Sequence, residues 1–230
     1  GLIAMSIVIK NLFKSFEKID VIRDFSMEFE KDKIHCIVGP SGCGKTTLIN
    51  ILTSILQKDS GDIEGIYDKN YSYVFQEDRL LPWRTVKGNI LFVLEDRYSK
   101  DEANSLAERY IELVELNRFK DSYPKELSGG MKQRVSIARA LAYRGDIFIM
   151  DEPFKGLDYK IKKSLMDYIL SSWNNKGRYF IFVTHDMTEA VYMADYIHKM
   201  QGPPLKYVET IKVDKEYRKK YFSREMDMSL

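Results

Sequence analysis

The sequence predicts an α/β fold built on a mixed, largely parallel central sheet, and three observations carry that prediction. Short, near-continuous apolar runs (His35–Val38, Ile147–Met150, Tyr179–Val183) recur between segments of helical periodicity. That is the pattern of strands buried on both faces beneath crossover helices. A glycine-rich turn joins the first run to a helical segment, and the second run ends in two acids. In open α/β sheets, ligands bind at such strand ends.

Length and composition bound the rest. A chain of 230 residues fits one domain with a subdomain. With 44% hydrophobic and 30% charged residues, it can bury a core and solvate its surface. Disordered, collagenous and low-complexity classes are excluded. The net charge of +2 supplies no global field to hold nucleic acid or an anionic membrane surface, so no nucleic-acid partner is expected. Cys36 and Cys43 are too few for a disulfide framework, which favours a reduced, intracellular setting. The longest apolar runs, such as Ile90–Leu94, fall far short of the roughly 20 residues that span a bilayer. No signal peptide is read at the start, and Met5 reads as the natural first residue, with Gly1 to Ala4 as a cloning remnant. Any membrane role is expected to come through a partner.

The elements follow in order. Ile7–Ile9 and Phe25–Phe29 read as strands of an N-terminal antiparallel β subdomain, and His35–Val38 as a buried strand. A helix is expected over Thr46–Leu56 and a short strand over Ser72–Phe75. The stretch Lys100–Phe119 reads as one helix, with Leu106, Tyr110, Leu113 and Val114 on the inner face and Glu108, Arg109, Glu112 and Glu115 opposite. A further helix runs from about Met131 to Tyr143. The region from 77 to 143 therefore reads as an inserted α-helical subdomain. Strand Ile147–Met150, helix Lys160–Trp173, strand Tyr179–Val183 and helix Met187–Ala194 complete the alternation. The charge-dense tail, 212–230, with Lys215, Arg218, Lys219, Lys220 and Arg224, reads as a solvated terminal helix.

The strongest local signal is Gly39-Pro40-Ser41-Gly42-Cys43-Gly44-Lys45-Thr46, which fits G-x-x-x-x-G-K-[ST] between a strand and a helix. Its glycines let backbone N–H groups turn inward around phosphate oxygens, and the helix start adds its positive end. Lys45 can reach the β- and γ-phosphates, and the Thr46 hydroxyl can coordinate Mg²⁺. Asp151 and Glu152 end the apolar run 147–150. Asp151 suits Mg²⁺ and Glu152 a general base, although an acidic pair after a strand can also be an exposed turn. Upstream lies Leu127-Ser128-Gly129-Gly130-Met131-Lys132-Gln133-Arg134. Ser128 can cap the helix that follows, and Gly129 and Gly130 let another group approach the backbone. A plain N-cap is the bland alternative. Read functionally, this is a second phosphate-recognising surface, and the simplest arrangement is two chains meeting head to tail with two nucleotides between them.

On these motifs the chain resembles, over nearly its whole length, the nucleotide-binding subunit of ATP-binding cassette (ABC) transporters, a P-loop NTPase. The resemblance implies that Gly39 to Thr47, Thr47 included, hold ATP and that Thr46, Gln76 and Asp151 hold Mg²⁺. It implies stacking of Phe16 on adenine, though an aromatic in a β-rich region is more often core. Gln76, after Ser72–Phe75, matches the glutamine that meets the metal and the attacking water. Ser128, Gly129 and Gly130 match the signature that meets the nucleotide of the opposite subunit, and Asp158 matches an aspartate at the dimer interface. Glu152 matches the catalytic glutamate. His185 matches the histidine that contacts the γ-phosphate, where a lone histidine after a strand is usually a satisfied strand-end residue.

One departure stands out. The family usually has small residues before Leu-Asp, and here the run is Phe154-Lys155-Gly156-Leu157-Asp158, which bears on dimer affinity or turnover. The segment Arg79–Val86 reads as subdomain core or, by resemblance, as the groove for a permease subunit. Its Leu80-Leu81-Pro82-Trp83 wording is similar to importers of nitrate, sulfonates, taurine and thiamine precursors. The resemblance thus implies an ATPase on the cytoplasmic face of the cell membrane, peripheral, paired with itself and a permease and serving a solute-binding protein indirectly. The alternative is a soluble ABC ATPase of DNA repair or translation. The short gap from Lys45 to Ser128 and the single cassette argue against it.

Overall fold

The computed structural model describes residues 6–173 and 177–228. Met5 and the residues before it lie outside that range, as do the last two residues of the tail. In chain order the strands are β1 (Ser6–Phe16), β2 (Ile19–Glu30), β3 (Ile34–Val38), β4 (Ser60–Glu64), β5 (Tyr71–Val74), β6 (Ile147–Asp151), β7 (Tyr179–Thr184), β8 (Tyr196–Gln201) and β9 (Lys206–Lys212). The helices are α1 (Lys45–Leu52), α2 (Val86–Leu91), α3 (Lys100–Leu113), α4 (Gly129–Tyr143), α5 (Tyr159–Ser172), α6 (Met187–Met193) and α7 (Lys215–Met228). These elements form two compact units. One comprises the chain through Lys69 together with its C-terminal part, and the other runs from Asn70 to Trp173.

In the first unit β1 pairs antiparallel with β2 on one side and β4 on the other, in register Ile7↔Phe29 and Ile9↔Ile63. Alternation places Ile7, Ile9, Phe25, Phe29 and Ile63 in the core. The second sheet of this unit centres on β3, whose five residues are all buried. β3 runs parallel to both β7 and β8, while β9 lies antiparallel along β8. A strand flanked on both sides must be apolar along its length, as His35–Val38 is apart from its histidine.

In the second unit β5 and β6 pair in parallel, with Val74 opposite Met150. The described residues between Gln76 and Tyr143 form helices and turns with no strand. Ser99 caps α3 in a reciprocal box with Glu102, its hydroxyl accepting from Glu102 N while Glu102 Oε2 accepts from Ser99 N at 3.0 Å.

Several expectations need correction. The helix expected to reach Phe119 stops at Leu113, because the chain reverses through Glu115 at φ 54° to bury Val114 and Leu116. Residues 117–119 form only a 3₁₀ turn. Its buried stripe is Ala103, Ala107, Tyr110 and Ile111, while Leu106 and Leu113 are half-buried. The two alanines let α4 pack close against this face. Helix α1 ends at Leu52 rather than Leu56, with Ser54 in the left-handed region. Strands β4, β8 and β9 carried no clear sequence signal. β4 buries only Ile63, and β9 is an edge strand exposed along most of its length.

Candidate functional site

In the first unit the phosphate-type loop grows from the end of β3. Gly44 precedes α1 at φ 111°, a conformation that costs a side-chain-bearing residue 1–2 kcal/mol or so and glycine nothing. A Cβ there would also stand 3.1 Å from the Val21 carbonyl oxygen of β2. Gly39 is required for a different reason. A Cβ on it would lie 2.6 Å from the backbone oxygen of Met200, so β8 forms the floor of the loop. Lys45 is 7% exposed, and its Nζ donates to the carbonyl oxygens of Gly39 at 2.7 Å and Pro40 at 2.8 Å. The loop thereby satisfies a buried ammonium with its own carbonyls and keeps the cation inside the turn. Thr46 is exposed at the first turn of α1, and Thr47 is half-buried beside it.

Two other predicted residues belong to this unit. Val38 pairs with Thr184, so Gly39 and His185 leave adjacent parallel strands at the same edge. His185 is exposed there. Its position follows from the chain on either side. Thr184, 1% exposed, donates its hydroxyl to Glu189 Oε2 at 2.7 Å, and Asp186 caps α6 by accepting from Thr188 N at 2.8 Å and Glu189 N at 3.3 Å. Phe16 ends β1 with its ring 44% exposed, which answers the core alternative. Lys14 Nζ lies 5.3 Å from the ring centroid.

The second unit carries the acidic pair and the signature run. Because β5 and β6 are parallel and in register, Gln76 and Asp151–Glu152 emerge at one edge. Asp151 is buried and Gln76 exposed. Burial, and then the negative charge of Asp151, push the Tyr73 hydroxyl above its ordinary range. Glu152 takes φ 50°, and this left-handed residue turns the chain back so that Lys155 N donates to Glu152 O at 3.3 Å. Ser128 caps α4 by accepting from Met131 N at 3.3 Å, and Asp158 caps α5 by accepting from Ile161 N at 3.0 Å. A Cβ on Gly130 would stand 3.3 Å from Gly156 O, whereas at Gly129 no described atom comes within 4 Å. A cleft of about 580 Å³ is lined by Gln76, Arg79, Gly129, Gly130, Glu152 and Lys155 among others.

Sequence reasoning missed the residues that hold these loops. The buried Gln133 amide donates to Pro153 O at 2.8 Å and so ties α4 to the turn after Glu152. Arg139 donates to the carbonyls of Arg79 at 3.1 Å and Asp78 at 3.3 Å, and burial lowers its pKa from the usual guanidinium value. Asn89, fully buried, accepts from Leu81 N at 2.8 Å and donates to three carbonyls, which shapes the Leu80–Arg84 segment and leaves Trp83 71% exposed. Gln133 lies within the signature run, but its partner is 20 residues away. Only that run's length hinted at it.

The chain is similar to known proteins over most of its length. The ABC transporter family profile matches residues 22–155. The aliphatic sulfonates import ATP-binding protein SsuB of Bacillus cereus is 38% identical over 219 residues, covering 90% of this chain and 86% of that protein. An uncharacterized ABC transporter ATP-binding protein of Methanocaldococcus jannaschii, MJ0412, is 37% identical over 219 residues, covering 90% of this chain and 82% of that one. Among solved structures, the dimeric bacterial ABC transporter cassette MJ0796 superposes with a TM-score of 0.82 at 27% identity, covering 90% of this chain and 99% of that one. The same cassette in a post-hydrolysis state with ADP and Pi gives 0.80.

Proposed function

The chain belongs to the ABC transporter family, and from that premise we propose that it is the ATP-hydrolysing subunit of a membrane importer for a small solute of the sulfonate, nitrate, taurine or thiamine-precursor type. The observation that carries the reading is a pair of phosphate-suited surfaces on one chain. One is the loop that holds Lys45 inside it. The other is the open backbone at Ser128–Gly129, where no described atom fills the space beside Gly129. In the proposed cycle two copies close head to tail around two nucleotides, and the second surface of each serves the nucleotide of the other. The dimeric cassette and the sulfonate relative support this arrangement and this solute class.

The roles follow from the chemistry of each group. Lys45 and the loop N–H groups bind the β- and γ-phosphates, and Phe16 stacks on the base. Glu152 accepts a proton from the attacking water. Gln76 orients that water and His185 donates to the γ-phosphate. Asp158 serves the dimer interface. Thr46, Gln76 and Asp151 would hold Mg²⁺. All three present oxygen, which suits a hard cation that takes one or two carboxylates and completes its shell with water and substrate phosphates. When bound, the ion neutralises charge developing on the phosphates.

No helix among the described residues is long and apolar enough to cross a membrane. A peripheral place on the cytoplasmic face, held by a permease at the exposed Trp83 segment, is the reading in keeping with that. The substitution Glu152→Gln removes the base and keeps the shape, so the variant runs as an ATP-dependent dimer on a sizing column. A Glu152→Gln chain that stays monomeric with ATP and still hydrolyses it overturns this function.

A further inference from the structure

The terminal helix is not merely solvated. It reaches back to the short helix that follows His185. Arg218, on the first turns of α7, donates from Nε to Val191 O at 3.0 Å and from Nη2 to Ala194 O at 2.6 Å. These are carbonyls at the C-terminal end of α6, where backbone acceptors lack helical partners and where a cation meets the negative end of the helix. Just before α7, Val213 N donates to Asp195 O at 2.8 Å, and within the helix the Phe222 ring meets Tyr192 edge-on at 6.3 Å.

Helix α6 has only seven residues and so measures about 10 Å at the usual rise per residue. Its N-terminal end is the Thr184–Glu189 and Asp186 cluster on either side of His185. A rod this short transmits a shift at one end to the other. Its inner face, with Ala190, Val191, Met193 and Ala194 buried, holds it against the sheet by apolar contact, which is non-directional and resists sliding along the axis weakly. Two bonds from one planar guanidinium add a directional restraint at the C-terminal end of α6, where the Thr184 bond to Glu189 at the other end does not reach. We propose that Arg218 is a positioning residue for ATP hydrolysis, fixing α6 along its axis and so the place of His185 at the strand edge. The inference rests on the reading of His185 as a γ-phosphate contact.

The test is a double-mutant cycle on the purified full chain, measuring kcat and KM for ATP and the unfolding midpoint. Arg218→Met keeps the aliphatic stem and removes both bonds. It lowers kcat by about tenfold, inside the hundredfold that an ångström-scale misplacement can cost, with KM unchanged within about twofold. In a His185→Ala background the same substitution costs nothing further. Equal slowing in both backgrounds, or a kcat that is unchanged in the His185-containing chain, overturns the inference alone. A His185→Ala chain as active as the parent overturns the inference and the role of His185 together. Arg218→Lys retains the cation with one of the two bonds and carries the same cycle if the methionine variant does not fold.

Discussion

Two of the three histidines are buried against each other, and their titration sets a measurable pH limit on stability. His35 Nε2 lies 3.0 Å from the Glu30 carbonyl oxygen, which can only accept, so that nitrogen carries the proton. His35 Nδ1 is then an acceptor, and His198 Nε2, 2.9 Å away, donates to it. His198 Nδ1 accepts in turn from the Thr210 hydroxyl at 2.8 Å. The Phe29 edge faces both rings and the Tyr196 ring stacks on His35. A second proton on His35 sets its Nδ1–H against the His198 Nε2–H, and one on His198 forces the Thr210 hydroxyl to turn from donor to acceptor while placing a charge among buried rings. Burial, and then the charge of His35, lower His198 from 6.5 to about 3, and burial lowers His35 as well, against the upward pull of Glu30 and Asp195.

Because the folded pKa is the lower one, the unfolded chain takes up protons first as the pH falls. The contribution is complete above about pH 6.5 and is lost progressively between 6.5 and 3. At pH 5 the deficit from His198 is about 2 kcal/mol, since each unit is worth about 1.4 kcal/mol, and His35 adds in the same direction. For a chain of this size that lowers the melting temperature by roughly 4–8 °C. The carboxylates with lowered pKa values, Asp20, Asp59, Glu102 and Glu108, lose their share only nearer their ordinary values of 3.8 and 4.5, so the window from pH 7.5 to 5 isolates the histidines. Thermal unfolding at both ends of that window, for the parent and for His198→Gln, is the assay. The glutamine variant starts lower at pH 7.5 but falls less than half as far by pH 5. A parent midpoint constant within 1 °C or so, or an equal slope in the variant, refutes the reasoning.

Three further outcomes are expected. Gly39→Ala forces a methyl against Met200 O, lowering stability by about 1–3 kcal/mol in urea unfolding and weakening binding of a fluorescent ATP analogue by about tenfold or more. Phe16→Ala leaves stability within about 0.5 kcal/mol because the ring is exposed, yet it costs about 1–3 kcal/mol of ATP binding, read by titration calorimetry. Gln133→Leu strands the Pro153 carbonyl and lowers unfolding free energy by about 1–3 kcal/mol, with a drop in ATPase rate from the loosened turn after Glu152.

The loops were legible in the sequence because their chemistry is written in consecutive residues. Gly39–Thr46, Ser128–Gly130 and Asp151–Glu152 each need a backbone shape or an ordered pair that adjacent side chains dictate. The buried strands were legible for a similar reason, since β3, β6 and β7 advertise themselves as unbroken apolar runs. What could not be read depends on partners distant in the chain. β9 is nearly all exposed and exists because β8 offers an edge. The floor under Gly39 is a carbonyl of Met200, and any residue supplies a carbonyl, so no sequence pattern marks it. Arg218 looked like one charge among several in the tail, and only its two acceptors set it apart.

The departure at Lys155–Gly156 acquires a physical meaning in the same way. Gly156 takes φ 76°, where an alanine would be strained, and its carbonyl lies against the place where Gly130 lacks a Cβ. Backbone fit between the two loops is therefore secured by glycines, and the side chain at 155 is released from any steric role. Lys155 is exposed and lines the same cleft as Glu152 and Gln76. Replacing a small residue there adds a positive charge without disturbing the turn. What Lys155 brings to the cleft is therefore its charge, a positive potential that salt screens because the group is exposed.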